Sequence, residues 1–140
     1  MDLRTKLSEQ YEQVKQASTQ LQNLAVKSLQ YGVPRSFSED GLRAVLSAEL
    51  DTLRTHLNEY FRAQEALVRE YLAGQPQALV ERILTFFREH ENLLQEIRGL
   101  QEHADRDDLE SLGAKVMETL CHVTEHEIGE RIIIHEVASV

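Results

Sequence analysis

Three short interruptions cut this chain into four long helical segments, and they constrain its fold more than any other feature. The first, YGVPRSFSEDG at 31–41, holds two glycines and Pro34 followed by residues suited to capping a helix. The second, AGQPQ at 73–77, places Gly74 where a helix can end and Pro76 where the next can begin. The third, HADRDD at 103–108, offers three aspartates as N-caps. The segments between them run over 3–30, 38–73, 76–103 and 107–137.

Each segment carries apolar residues at three- and four-residue spacing, the stripe of an amphipathic helix. The first has Leu3, Leu7, Val14, Leu21 and Ala25; the second has Leu42, Leu46, Leu53, Leu57, Leu67 and Tyr71. The third has Leu79, Ile83, Phe87, Leu94 and Ile97; the fourth has Leu109, Leu112, Val116, Leu120, Val123, Ile134 and Val137. Leu, Ala, Glu, Gln and Arg dominate the composition and Trp is absent, so propensity agrees with pattern. Short second and third connections make their neighbours antiparallel. The expected architecture is all-α, a single up-down-up-down four-helix bundle over 1–140.

Charge narrows the partners. A net charge of −9 keeps the chain soluble and repels nucleic-acid backbones. Residues 1–38 carry five Lys or Arg against three Asp or Glu, so the rest is strongly acidic and a cationic partner stays open. No apolar run approaches the ~20 residues of a membrane span. The single cysteine, Cys121, rules out an internal disulfide framework, and with no signal-peptide pattern at Met1 the expected location is the cytoplasm.

Bundles build metal and cofactor sites where their stripes turn polar at one level. At about 100° per residue, Tyr60 and Gln64 fall on the centre of the second stripe, with His56 near its edge. His90 falls on the third. Glu127 and Glu130 fall near the centre of the fourth, with His126 and His122 toward one edge; His135 points away. Counting from the connecting turns sets His90 level with residues 58–60 and 119–121. Gln10, His56, Tyr60, His90 and His122 then share a layer, with Gln64, His126 and Glu127 about one turn away. His122 and His126, four residues apart, put two imidazoles on one helix face.

This layout resembles the hemerythrin-like (HHE cation-binding) family. NEYFRAQEALV looks like that family's second-helix motif, EHENLLQEI like the second half of its third, and HVTEHE, with His122 and Glu127, like its fourth. The resemblance implies a four-helix bundle that holds non-haem iron at mid-height, with His90, His122 and Glu127 matching ligand positions. Gln10, Tyr60, Gln64 and Phe86 stand where that family has its other ligands. Its implied role is metal, oxygen or redox sensing, or metal handling, rather than turnover of a large substrate.

The expected metal set is therefore His90, His122, Glu127, His126 and His56. Iron is the metal the resemblance implies, and zinc also suits imidazole and carboxylate donors. A ferritin-like centre is disfavoured, because no histidine here has Glu three residues before it. The competing reading is a metal-free bundle acting as a protein-interaction or regulatory module, with Glu127 paired to a histidine and a neutral polar layer around it. Ile128 and Ile132 point away from the core stripe and suit a contact with a second copy of the chain or another protein.

Overall fold

The computed structural model describes the backbone of residues 3–29 and 39–138 and the side chains of residues 5, 8–27 and 39–132. Among the described residues there are four helices: α1 (Leu3–Leu29), α2 (Glu39–Arg69), α3 (Gln77–His103) and α4 (Leu109–Ala138). They form an all-α four-helix bundle. α1 packs against α2 and α4, and α3 packs against the same two from the other side. Side chains of Leu3, Leu7, Ile134, His135 and Val137, assigned above to stripes or faces, lie outside the described residues.

The helix ends follow from their breakers. α2 stops at Arg69, earlier than the stripe suggested. The next three amides turn back on carbonyls only three residues behind them, and Gly74 then takes a positive φ of 80°. That conformation costs a glycine little, because it has no Cβ to clash. α4 starts one residue after Asp108, whose carboxylate accepts a 2.7 Å hydrogen bond from the Ser111 amide. This satisfies one of the donors a helix N-terminus leaves open.

The core divides in two. A large cluster spans all four helices and includes Leu21, Leu46, Leu53, Leu57, Ile97, Leu112 and Val116. A small one, Val68, Ile83 and Phe87 with partly buried neighbours, sits near the α2–α3 turn. Between them lie buried polar side chains from three helices: Gln64, His90, His126 and Glu130. Arg43, near the start of α2, donates to the carbonyls of Ala104 and Asp107, tying the α3–α4 turn to that end of the bundle.

Cross-helix contacts give the directions. Asp51 meets Gln101 while Arg69 meets Phe87, so α2 and α3 are antiparallel. Glu96 meets Thr119 while Phe86 meets Gly129, so α3 and α4 are too. Tyr11, early in α1, stacks near Tyr60, late in α2, which sets α1 against α2 in the same sense. Among the described residues no helix is long and apolar enough to cross a membrane.

One position departs from helix preference without a packing reason. Gly99 lies inside α3, and a Cβ added there meets nothing within 4 Å. Gly99→Ala is expected to stabilise the bundle by about 0.5–1 kcal/mol, by removing backbone freedom from the unfolded chain. Urea unfolding should show a higher midpoint at an unchanged slope.

Candidate metal centre

His90 and His126 are brought together by antiparallel α3 and α4, and Glu130 stands one turn beyond His126 on the same face. One donor atom from each of His90, His126 and Glu130 lies within 4.8 Å of the other two. All three residues are buried, Glu130 and His90 at 3% and 2% exposure. His90 Nε2 is 2.7 Å and His126 Nε2 is 2.6 Å from the same oxygen, Glu130 Oε2. The first contact has hydrogen-bond geometry. The second does not, and His126 Nε2 and Glu130 Oε1 have no hydrogen-bond partner among the described residues.

The outer nitrogens meet carboxylates. His126 Nδ1 donates to Glu89 Oε2 at 2.8 Å. His90 Nδ1 faces Glu65 Oε2 at 3.6 Å, too far for a direct hydrogen bond. A carboxylate on the outer nitrogen of a metal-binding histidine fixes its tautomer and aims the other lone pair inward. Glu89 holds His126 in this way, while Glu65 stands near His90 without a direct hydrogen bond.

Aromatic rings wall the centre. Phe61 stacks flat on His90, centroids 3.9 Å apart and planes 4° apart. Phe86 lies 5.5 Å from His126, and the two imidazoles meet edge to face at 4.9 Å. With water largely excluded, charges inside act strongly on one another. Burial disfavours the charged form of His126, yet Glu130 and Glu89 outweigh it and hold the imidazole pKa above its usual value. Burial likewise favours a neutral Glu130, but His126 and His90 win and hold its carboxyl below the usual range. The arrangement therefore favours an ionised carboxylate next to positive charge, carried by protons or by a cation.

Searches against protein-family models, curated proteins and solved structures find no match for this chain.

The other candidate ligands sit elsewhere. His122 is on the α3–α4 surface, its Nδ1 2.8 Å from Glu96, which holds the imidazole pKa above its usual value. Glu127 faces α2 and accepts a 3.1 Å hydrogen bond from the Tyr60 hydroxyl, with Arg131 at 3.3 Å. Burial and the Glu127 charge push the Tyr60 phenol far above its ordinary pKa, so Tyr60 is an O–H donor and not a phenolate. His56 is half-buried on α2, with its Nδ1 lacking a protein partner, and does not join the cluster.

Of the five expected ligands, the structure thus brings together His90 and His126 and adds Glu130. The four-residue spacing of His126 and Glu130 was the signal in the sequence, since it puts both on one helix face. Glu65, Glu89 and Phe61 carry no such signal, because their roles depend on neighbouring helices. The level also shifts. His90 faces His126, about a turn and a half farther along α4 than equal-height helix ends predict. α4 begins beyond the end of α3, across residues 104–108 that Arg43 holds in place.

Two imidazoles and one carboxylate can hold a divalent ion. The set matches both the two-histidine-one-carboxylate group of non-haem iron and the His₂Glu group of zinc sites. Metal–donor bonds of about 2.0–2.1 Å set neighbouring donors roughly 3 Å apart. From 2.6 and 2.7 Å, Glu130 Oε2 would withdraw a few tenths of an ångström from the two imidazole nitrogens.

Proposed function

We propose that this chain is a metal-binding four-helix bundle that holds one divalent ion between His90, His126 and Glu130, in a sensing or metal-handling role. The observation that carries this reading is the convergence of two imidazole Nε2 atoms on one carboxylate oxygen while their outer nitrogens face carboxylates. With the Nδ1–H of His126 on Glu89, its Nε2 lone pair faces an anionic oxygen. Only positive charge makes that arrangement favourable, and a single M²⁺ supplies it for all three groups at once. Iron, which the hemerythrin-like resemblance implies, and zinc both suit the donors. Three protein ligands leave positions for water or a small exogenous ligand, the basis of a sensing role.

A second reading has its own support. The 2.7 Å contact of His90 with Glu130 is that of a charge-assisted hydrogen bond, as a protonated histidine on Glu130 would give, and His126 stands 2.6 Å from the same oxygen. On that reading the layer is a metal-free register device in an interaction module, and the exposed Ile128 and Ile132 mark its contact face.

Metal analysis of protein purified without a histidine tag separates the two. One equivalent of iron or zinc per chain is expected, and none for His90→Ala combined with His126→Ala. At a hundredfold excess of ion over Kd, binding should add about 2.7 kcal/mol of stability. Sub-stoichiometric metal with unchanged thermal stability in added Fe(II) and Zn(II) would leave the metal-free reading standing.

A further inference from the structure

Two grooves beside α3 differ in charge, and the acidic one, bordered beyond Phe86 and Gly129 by a further cleft that holds Arg82, is the one of these two lined by a residue of the buried centre. The α2–α3 groove is lined by Arg54, Arg62 and Arg98 together with Glu59 and Glu91. The α3–α4 groove, about 400 Å³, is lined by Glu89, Glu96, Glu125, His122 and His126 and by no Lys or Arg. His126 is the wall between this groove and the centre: Nδ1 meets Glu89 at 2.8 Å in the groove, and Nε2 meets Glu130 at 2.6 Å inside. It is 8% exposed, and its inward nitrogen has no hydrogen-bond partner among the described residues.

Building on the metal-centre reading, we infer that divalent cations enter and leave the buried centre through the α3–α4 groove, captured by Glu96, Glu125 and His122 and passed inward past His126. Three features support the route. Clefts lined by one sign of charge concentrate the opposite ion and raise its association rate. His122 lies one turn from His126 and is held by Glu96 at 2.8 Å, so a nitrogen and a carboxylate oxygen stand together at the groove surface. Glu89, the outer partner of His126, is half-exposed, so the groove side of this contact is open to solvent. Phe86 forms the adjoining rim, seated against Gly129, where a Cβ would stand 3.2 Å from its ring. The same entering cation meets three guanidinium groups in the opposite groove.

The test is a pair of charge-matched double variants. Glu96→Gln with Glu125→Gln removes two charges from the α3–α4 groove, and Glu59→Gln with Glu91→Gln removes two from the α2–α3 groove. Neither pair touches His90, His126 or Glu130. Zn(II) association would be followed by stopped-flow at about 0.1 M salt, where charges beyond roughly 10 Å are screened. The first pair should slow association by roughly three- to tenfold, with the endpoint still one ion per chain, and the second by less than twofold. Equal slowing by both pairs, or by neither, overturns the route while leaving the centre intact. Failure of the unmodified chain to bind zinc at His90 and His126 removes the centre itself, and the route with it.

Discussion

Glu130→Ala is expected to abolish stoichiometric metal binding and to lower the melting temperature of the metal-free protein by about 10 °C. The carboxylate is 3% exposed and is the one anion that both Nε2 atoms approach. Its loss strands two buried imidazoles beside Glu65 and Glu89 with no inward partner. Breaking a buried charge pair typically costs about 3–5 kcal/mol. The low end applies here, because an imidazole relieves an unpaired charge by releasing its proton. About 3 kcal/mol corresponds to roughly 10 °C for a domain of this size. Replacing the whole triad, with His90→Leu, His126→Leu and Glu130→Leu together, should recover most of that loss in the absence of metal. It removes the polar groups along with their partners. Calorimetry on the single and triple variants checks both statements. A single variant as stable as the parent would mean that water, and not Glu130, satisfies the histidines.

The stability of the metal-free protein and the stability that metal adds should depend on pH in opposite directions. His126 has its folded pKa above the ordinary 6.5. Its contribution is complete below that value and is lost as pH rises through the folded pKa. Glu130 is held below the ordinary 4.5, so its contribution is present above 4.5 and is lost as pH falls through the folded pKa. Between about 4.5 and 6.5 both are therefore in force. Glu127 adds a slope of its own. Burial first, and then Glu130, raise its pKa, and its contribution fades as pH rises through that raised value. The metal-free protein should be most stable near pH 5–6 and less stable at pH 8. A metal ion competes with protons for the imidazole nitrogens, so the stability it adds should grow from pH 6 to pH 8. Thermal melts across pH, with chelator and with Zn(II), test this. Parallel profiles would show that the metal does not bind through His126.

His90 shows where reading from sequence stopped. Its place on the third stripe, between Phe87 and Leu94, announced an inward polar residue, and it is buried. The polar layer at mid-bundle was legible for the same reason. Stripes of fixed period reveal any polar residue that interrupts them, and Gln64 and Glu130 do so as His90 does, with His126 toward an edge. Level along the bundle was legible only to about a turn and a half. His122 was set opposite His90, but Glu96 holds it at the surface while His126 takes the inner position.

The sequence by itself determined four amphipathic helices, their antiparallel order and a polar band across their core, because helix period and breaker residues are local properties of the chain. Only the tertiary structure decided which polar side chains share a centre. That depends on the offset between α3 and α4 set by residues 104–108 and Arg43, and on carboxylates such as Glu65 and Glu89 that face a histidine on another helix. An offset of one turn moves a side chain by about 5.4 Å, more than the 4.8 Å within which the three donor atoms gather.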